Sequence, residues 1–266
     1  MRGDAYVHWC QKLGAEPGEY EDAYSVGAAG DPELWSLTAD QPRLRVAVAD
    51  GATESMLSGR WAQTLVATYT AEHESSMRTC IAHAQDAWPQ ILQTYTAERE
   101  RDGRPIAWYE EPGFEKGAYA TLLVAEFHLA PGDASGIWAA EAVGDSCLFH
   151  ISGNQLQSAF PLSDAEQFDS SPALVHTGLR DTELLDKHRR CTSGTFVPGD
   201  EFYLCTDAGA AWFLSQAAAQ AKPWAEWSHF SPARRRGVFD EWIATERFSG
   251  RLHNDDVTLL SLQLSR

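Results

Sequence analysis

The stretch Leu44-Arg45-Val46-Ala47-Val48-Ala49-Asp50-Gly51 is an apolar, β-branched run that ends on an acid and a glycine. Its length and valine content predict a buried strand. Gly51 gives the chain freedom to turn sharply after this strand and to approach a ligand closely. Asp50 is therefore a candidate site residue, although an Asp-Gly pair after a strand is most often only a turn.

The pattern of an acid at a strand end recurs along the chain, which strengthens the interpretation of Asp50 as a site residue. The recurrences are Asp207 after residues 202–206, Asp255 and Asp256 before residues 257–262, and Glu21 and Asp22 before residues 23–26. Clustered carboxylates repel one another unless cations hold them together. Ligand sets made only of oxygen suit Mg²⁺ or Mn²⁺. The sequence thus predicts that these strand ends meet at one place.

The composition limits the classes of protein that fit. The chain has 266 residues, of which 44% are hydrophobic, enough for a substantial core in one large or two small domains. We expect a single domain over residues 1–266, because the acidic strand ends come from both ends of the chain and no Pro/Ser-rich linker divides it. The net charge of −17 argues against nucleic acid or an anionic membrane as the main partner.

The cysteines and the N-terminus bear on the location of the protein. Five cysteines without a CxxC pair favour a reduced, intracellular chain. The N-terminus lacks the apolar core of a signal peptide, and no apolar run is long enough to span a bilayer. We therefore expect a cytoplasmic monomer.

Helices are predicted after the turn at Gly51. Trp61, Leu65 and Tyr69 recur at helical spacing and would form one apolar face. A second helix is expected over residues 77–96, and Pro89 inside it predicts a kink or a break. A last helix is expected over residues 234–247, with the following side chains on one face: Val238, Trp242 and Thr245.

Between these helices the sequence changes to an extended pattern. Residues 119–127 and 137–143 predict a β-hairpin. Residues 161–198 are polar and irregular, and we interpret them as a long surface excursion. Long insertions of this kind are often lids or recognition segments.

Six short motifs, taken in their order along the chain, resemble those of the PP2C (PPM) family of metal-dependent Ser/Thr protein phosphatases, in its bacterial type. They are EDA at 21–23, VADGAT at 48–53, GAYATL at 117–122, VGDS at 143–146, LCTD at 204–207 and NDDVTL at 254–259. Each motif alone is weak, but the ordered set is specific and covers nearly the whole chain. The resemblance implies an α+β fold, an α-β-β-α sandwich of two antiparallel sheets flanked by helix pairs.

The resemblance also implies roles for individual residues. Asp50 and Asp207 would be catalytic, with Asp50 bridging two metal ions and the Gly51 carbonyl ligating one of them. The remaining metal ligands would be Asp255 with Asp207, Glu21 and Asp22 directly or through water, and Asp145 with Asp207 for an extra ion. Asp256 would support a neighbouring ligand. The implied cofactors are two or three Mn²⁺ or Mg²⁺ ions.

The chemistry of such a centre needs no side-chain nucleophile. Two divalent cations lower the pKa of a water between them and orient it towards a phosphoester. Ser146 and Thr206 are therefore interpreted as strand-end hydroxyls. Two positions depart from the family pattern, because Pro17 replaces a phosphate-binding Arg and Ala52 replaces the His of some relatives. Lys12, or an Arg from elsewhere, could bind phosphate instead.

Three functions remain open at this point. The first is a phosphatase that hydrolyses phosphoserine and phosphothreonine in a phosphoprotein substrate. The second is a catalytically weak or inactive phosphatase-fold regulatory or binding module, which the missing Arg favours. The third is a metal phosphatase for a small metabolite. The retained acids favour a hydrolase, because a cluster of unneutralised carboxylates is costly without metal.

Overall fold

The computed structural model describes residues 2–16, 18–27, 35–37, 43–72, 75–128, 135–168, 171–178, 180, 182–230 and 237–265. The strands are β1 (Arg2–Cys10), β2 (Ala23–Val26), β3 (Trp35–Leu37), β4 (Arg43–Ala49), β5 (Tyr119–Ala120), β6 (Leu122–His128), β7 (Gly136–Val143), β8 (Cys147–Ser152), β9 (Gln155–Phe160), β10 (Val175–His176), β11 (Arg190–Phe196), β12 (Glu201–Cys205) and β13 (Val257–Ser265). The helices are α1 (Ser58–Ala71), α2 (Met77–Arg101), α3 (Glu111–Lys116), α4 (Thr182–His188), α5 (Asp207–Ala218), α6 (Pro223–Trp227) and α7 (Gly237–Phe248).

Two antiparallel sheets pack face to face and carry helices on their outer faces. One sheet has the strand order β3-β1-β13-β12-β8-β9, and the other has the order β11-β7-β6-β4-β2. Strands β5 and β10 form a separate small ribbon. The antiparallel pairing predicted for the hairpin is confirmed for β6 and β7, whereas residues 119–120 of the predicted first strand belong to β5, and residues 129–134 of the turn lie outside the described residues. None of the described helices has both the length and the apolarity that a membrane span requires.

Strand β4 has branched apolar side chains on one face and, towards its C-terminal end, alanines on the other. Leu44, Val46 and Val48 point into the core between the sheets, where each contributes about 1.5–3 kcal/mol by burial. Ala47 and Ala49 face α1 and α2 and belong to a second core. Small residues on this face let the helices approach the sheet closely. The strand predicted from the sequence is thus buried on both faces.

Helices α1 and α2 form the outer layer over the five-stranded sheet. Trp61 is fully buried, and its ring packs edge-on against Trp88 with the centroids 5.4 Å apart. Of the kink or break predicted at Pro89, the break is wrong, because α2 continues to Arg101. Apolar side chains on both sides of the proline, such as Ile81 and Ile91, pack on the same core. This packing holds the two halves in one helix despite the missing backbone N–H.

Helices α5, α6 and α7 cover the six-stranded sheet through an aromatic core. Phe149 stacks on Phe213 with the ring centroids 3.9 Å apart. The predicted face of the last helix is only partly right. Its fully buried residues are Phe239, Ile243 and Glu246, whereas Val238 is 38% exposed. The aromatic core selects the face that carries Phe239.

Residues 161–198 are not an irregular excursion, and that interpretation is corrected. They contain a short 3₁₀ helix, strand β10, helix α4 and strand β11. Strand β11 is an edge of the five-stranded sheet and pairs with β7 over seven residues. In this strand only Phe196 is fully buried, and the outward side chains are polar and exposed. An edge strand of this kind lacks the apolar run that would reveal it in a sequence.

Candidate active site

Both sheets deliver acids to one cleft of about 520 Å³. Asp50 follows β4, Asp145 lies between β7 and β8, Asp207 begins α5 after β12, and Asp255 precedes β13. Gly51 also lines this cleft. The structure therefore brings together five of the residues predicted from the sequence, and it does so because strands of both sheets end on the same side of the sandwich.

Asp50 is held in place through its backbone. Its N–H donates to the hydroxyl of Thr121 over 3.0 Å, and its carbonyl accepts from the Thr121 N–H over 2.8 Å. The Thr121 hydroxyl also lies 3.0 Å from that of Ser146. Sequence reasoning did not single out Thr121 as a positioning residue. The signal was present, since Thr121 interrupts an otherwise apolar strand and separates β5 from β6.

Gly51 lies where three chain segments come very close. A Cβ at this position would lie 2.7 Å from the carbonyl carbon of Ser58, 2.8 Å from the carbonyl oxygen of Glu21 and 2.9 Å from the nitrogen of Gly59. All three atoms belong to backbone, so a side chain at residue 51 would push whole segments apart. Glycine is thus required here for close approach of the chain.

Asp22 lies beside Asp50 in the sheet, because Ala23 of β2 pairs with Ala49 of β4. The Asp22 carboxylate is 2% exposed. Its Oδ2 accepts hydrogen bonds from the hydroxyls of Thr206, at 2.9 Å, and Thr258, at 2.8 Å. Its Oδ1 is buried and has no hydrogen-bond partner among the described residues. A buried carboxylate oxygen without a donor needs a positive charge or a proton.

Glu21 faces a neighbouring cavity, although it is adjacent to Asp22 in sequence. Its carboxylate accepts from the ammonium group of Lys12 at 3.1 Å and from the hydroxyls of Thr53 at 2.7 Å and Ser58 at 2.5 Å. Glu21, Lys12 and Ser58 line this second cavity, and Thr53 lines both the cavity and the cleft. The structure therefore gives different surroundings to Glu21 and Asp22, whose roles the sequence could not distinguish.

Asp256 joins the segments around the cleft through hydrogen bonds to backbone. It is 3% exposed, and both carboxylate oxygens accept backbone N–H groups, from Lys12 at 2.8 Å and from Glu21 at 2.7 Å. Its own N–H donates to the Asp255 carboxylate over 2.9 Å. Asp256 thereby links the chain after β1 and the chain before β2 to the segment that carries Asp255.

The two hydroxyls considered as nucleophiles are both buried and hydrogen-bonded. Thr206 is fully buried, and its hydroxyl donates to Asp22 and accepts from the Thr258 N–H at 3.0 Å. Ser146 is 1% exposed, and its hydroxyl is paired with that of Thr121. Neither side chain is placed to attack a substrate. They serve as strand-end hydroxyls.

The carboxylates raise one another's pKa values. Burial raises the pKa of Asp50 well above its ordinary range, and so do the charges of four other acids: Asp22, Asp207, Asp145 and Asp255. Burial likewise raises the pKa of Asp22 well above its usual value, with the charges of Asp256 and Asp207 acting in the same direction. Burial, followed by the charge of Asp255, raises the pKa of Asp207 to about 6. The cleft thus has a strong preference for added positive charge.

Cationic side chains near the cleft are few among the described residues. Lys116, at the end of α3, lines the cleft, although sequence reasoning did not select it. Lys12 lies in the neighbouring cavity and is bound to Glu21. Pro17, which stands in place of the expected Arg, lies outside the described residues. Ala52 lines the cleft and offers no group for proton transfer.

The donor chemistry of the cleft fits a hard divalent cation. Its acids offer only oxygen ligands, and the Asp22 oxygen without a donor is one that a cation would satisfy. Within the described ranges, however, no group of three or more His, Cys, Asp or Glu side chains is arranged as a preformed metal site. The acids thus lie in one region of the structure but do not surround a single point.

The two facing antiparallel sheets with outer helices are the PP2C-type phosphatase fold. Solved structures similar to this chain include the photosystem II phosphatase PBCP, with a TM-score of 0.57, 15% identity and 99% of each chain covered. The serine/threonine phosphatase PstP/Ppp of Mycobacterium tuberculosis has a TM-score of 0.57 and 13% identity, and each chain is covered completely. The PstP catalytic domain in complex with two manganese ions has a TM-score of 0.54 and 13% identity, covering 100% of this chain and 99% of that one.

These similarities are structural. No family model matches the sequence, and no curated protein matches it significantly. At such low identities the likeness establishes the fold alone.

The raised pKa of Asp207 predicts a pH dependence of stability. A group whose folded pKa exceeds its unfolded value of about 3.9 favours the folded state at low pH and loses this contribution as pH rises through its folded pKa, about 6 for Asp207. In excess chelator, the melting temperature of the wild type relative to Asp207→Asn should therefore fall between about pH 4 and pH 7. Melting curves of the two proteins across this range test the prediction, and a constant difference would contradict it.

Proposed function

We propose that the chain is a metal-dependent phosphoprotein phosphatase that hydrolyses phosphoserine and phosphothreonine. The observation that carries the proposal is the convergence of five acids from both sheets, in which burial and the charges of the four other acids raise the pKa of Asp50. Similar folds that are phosphatases, one of them solved with two manganese ions, support it. We further propose that residues 1–266 act as one phosphatase domain, as a cytoplasmic monomer.

In this proposal the strand-end acids hold two or three Mn²⁺ or Mg²⁺ ions. The ligands would be Asp50, the Gly51 carbonyl, Asp145, Asp207, Asp255 and Asp22, with Glu21 acting at a greater distance. The division between Asp22 and Glu21 follows from their contacts. Glu21 already accepts one ammonium and two hydroxyl groups, whereas Asp22 has one buried oxygen without a donor. Bound divalent ions would supply an activated water and stabilise charge on the phosphoryl oxygens.

The chain's own residues prepare the site for this chemistry. Thr121 fixes the backbone of Asp50 by two hydrogen bonds, so the carboxylate starts from a defined point. Thr206 and Thr258 orient Asp22 through one oxygen and leave the other for a ligand. Lys116 brings positive charge to a cleft that must bind an anionic phosphoryl group. Such prior orientation of charged groups is the main source of rate enhancement in phosphoryl transfer.

The proposal predicts that activity and stability both depend on divalent metal. Excess chelator should abolish hydrolysis of an aryl phosphate and of a phosphothreonine peptide. Mn²⁺ or Mg²⁺ should restore both activities and raise the melting temperature, because the ions bind the folded state selectively. Metal content measured on the purified protein completes the test. Undiminished turnover in excess chelator would exclude the two-metal mechanism.

The second candidate function is a catalytically weak or inactive phosphatase-fold binding module. Two observations favour it: no preformed three-ligand group is present among the described residues, and the sequence has proline at residue 17. The same experiment separates the two functions. A module of this kind would bind Mn²⁺ and gain stability, or bind a phosphopeptide, without releasing phosphate at a measurable rate.

A further inference from the structure

A third cavity, of about 350 Å³, lies next to the acidic cleft, between α2 and the segment that carries β10 and α4. Its floor is apolar, with Ile81, Val143 and Val175 each less than 5% exposed. Leu184 and Leu185 of α4 form the opposite wall. A volume of this size and a mainly apolar lining are typical of small-molecule sites.

The ionisable side chains that line this cavity are all of the basic type, and the two aspartates that pair with its arginines stand at the mouth. Arg78, Arg180, His176 and His188 line it, and no acidic side chain does so among the described residues. This is unusual for a chain with a net charge of −17. An apolar cavity with a basic rim is complementary to a ligand that has an apolar body and an anionic head.

Two salt bridges cross the mouth of the cavity and join its walls. Arg78 of α2 pairs with Asp186 of α4, and Arg180 pairs with Asp86 of α2 at 2.5 Å. All four side chains are between 42% and 61% exposed, and exposed pairs of this kind typically contribute about 0–1 kcal/mol. A carboxylate or phosphate on a ligand could therefore replace the aspartates at little cost.

Helix α4 is the wall that such a ligand would meet first. Of the described α4 residues, none is fully buried. Leu185 packs, partly buried, against the core, and polar contacts also hold the helix, among them the ion pair of Arg189, just after its C-terminal end, with Glu141 of β7. Because no described residue of α4 is fully buried, a ligand that displaced this wall would uncover little of the sandwich core. By contrast, the opposite side is fixed, since Gln85 of α2 donates to the His176 carbonyl at 2.8 Å.

We propose that this cavity binds a small amphipathic anion, with an apolar body on the floor and a carboxylate or phosphate between Arg78 and Arg180. The site is separate from the acidic cleft but shares a wall with it. Leu174 lines both spaces. His176 contacts the Lys116 carbonyl at 2.8 Å and packs on Tyr119, and both Lys116 and Tyr119 line the cleft. A ligand here would lie against the substrate side of the protein.

The test is a binding measurement, so its outcome does not depend on the proposed phosphatase activity. Isothermal titration of the full chain with decanoate, and with decanol as its neutral counterpart, should show saturable binding of decanoate and at least about fivefold weaker binding of decanol. Equal affinity for the two probes, or no binding of decanoate, would overturn the proposal.

Breaking each salt bridge from either side provides the sharper test. Arg78→Gln and Arg180→Gln should each weaken decanoate binding by about three- to tenfold, because each removes a positive charge. Asp186→Asn and Asp86→Asn break the same two pairs but free the arginines, so binding should stay the same or tighten. If the aspartate variants weaken binding as much as the arginine variants, the pairs are only structural and the assignment fails.

Filling the cavity gives an independent check on its position. Ala82 lines the cavity, whereas Ala87 lies on an exposed part of the same helix. Ala82→Trp should abolish decanoate binding, and Ala87→Trp should leave it unchanged. Melting curves of both variants show whether the fold is retained. Unchanged decanoate binding in a folded Ala82→Trp protein would place the ligand elsewhere and overturn the proposal.

Discussion

Replacing Asp50 with asparagine should lower turnover by on the order of 10³-fold while raising the melting temperature of the metal-free protein. The loss of activity follows from removing the acid on which the charges of Asp22, Asp145, Asp207 and Asp255 act. The gain in stability follows from removing one of the charges that burial and four neighbouring acids disfavour. Asparagine retains the size of the side chain and leaves the backbone hydrogen bonds to Thr121 in place.

Asp102→Asn is the matched control for this substitution. Asp102 caps the C-terminal end of α2, is mostly exposed and lies outside the cleft. The Asp102→Asn substitution should leave both turnover and melting temperature unchanged. Rates on an aryl phosphate with saturating Mn²⁺, and melting curves in chelator, provide the two readouts. A metal-free Asp50→Asn protein that melts below the wild type would show that Asp50 is structural.

Asp22→Asn and Glu21→Gln should differ strongly, although the two acids are adjacent. Asp22→Asn should reduce turnover by on the order of 10²-fold and weaken Mn²⁺ binding, because it removes the buried oxygen that lacks a donor. The amide oxygen of asparagine can still accept from Thr206 and Thr258, so the fold should be retained. Glu21→Gln should cost less than about tenfold, since that carboxylate is already held by Lys12, Thr53 and Ser58.

Titration of each variant with Mn²⁺, followed by turnover, separates metal affinity from rate. Excess Mn²⁺ should recover part of the activity of Asp22→Asn if weaker binding is the cause. Equal losses in Asp22→Asn and Glu21→Gln, with equal shifts in Mn²⁺ affinity, would mean that the contacts of Glu21 do not keep it from the metal. The assignment of distinct roles would then be wrong.

The acidic strand ends could be predicted because they depend on local sequence patterns. The strand before Asp50 is a continuous apolar run, and Trp61, Leu65 and Tyr69 mark the next helix by their spacing alone. Strand β11 could not be predicted in this way. It is an edge strand with polar outward side chains, and only its pairing with β7 defines it.

The separate placements of Glu21 and Asp22 also lay beyond the sequence. They depend on the register of β2 against β4 and on two threonines from β12–α5 and β13, distant in the chain. Helix α7 shows the same limit, since Val238 and Phe239 both fit an apolar helical pattern. Only the aromatic core on the six-stranded sheet selects Phe239 as the buried residue.

The alternation of valine and alanine over residues 46–49 of β4 has a consequence for folding fidelity. A one-residue slip of this strand would turn Val46 and Val48 towards the helices and Ala47 and Ala49 into the space between the sheets. It would also move Asp50 by about 3.3 Å along the sheet and out of register with Thr121. A slipped molecule would then lose its core and its cleft together. For the proposed phosphatase, the activity per milligram of protein would therefore measure the fraction of correctly registered chains, and an inactive fraction would indicate misfolding as well as missing metal.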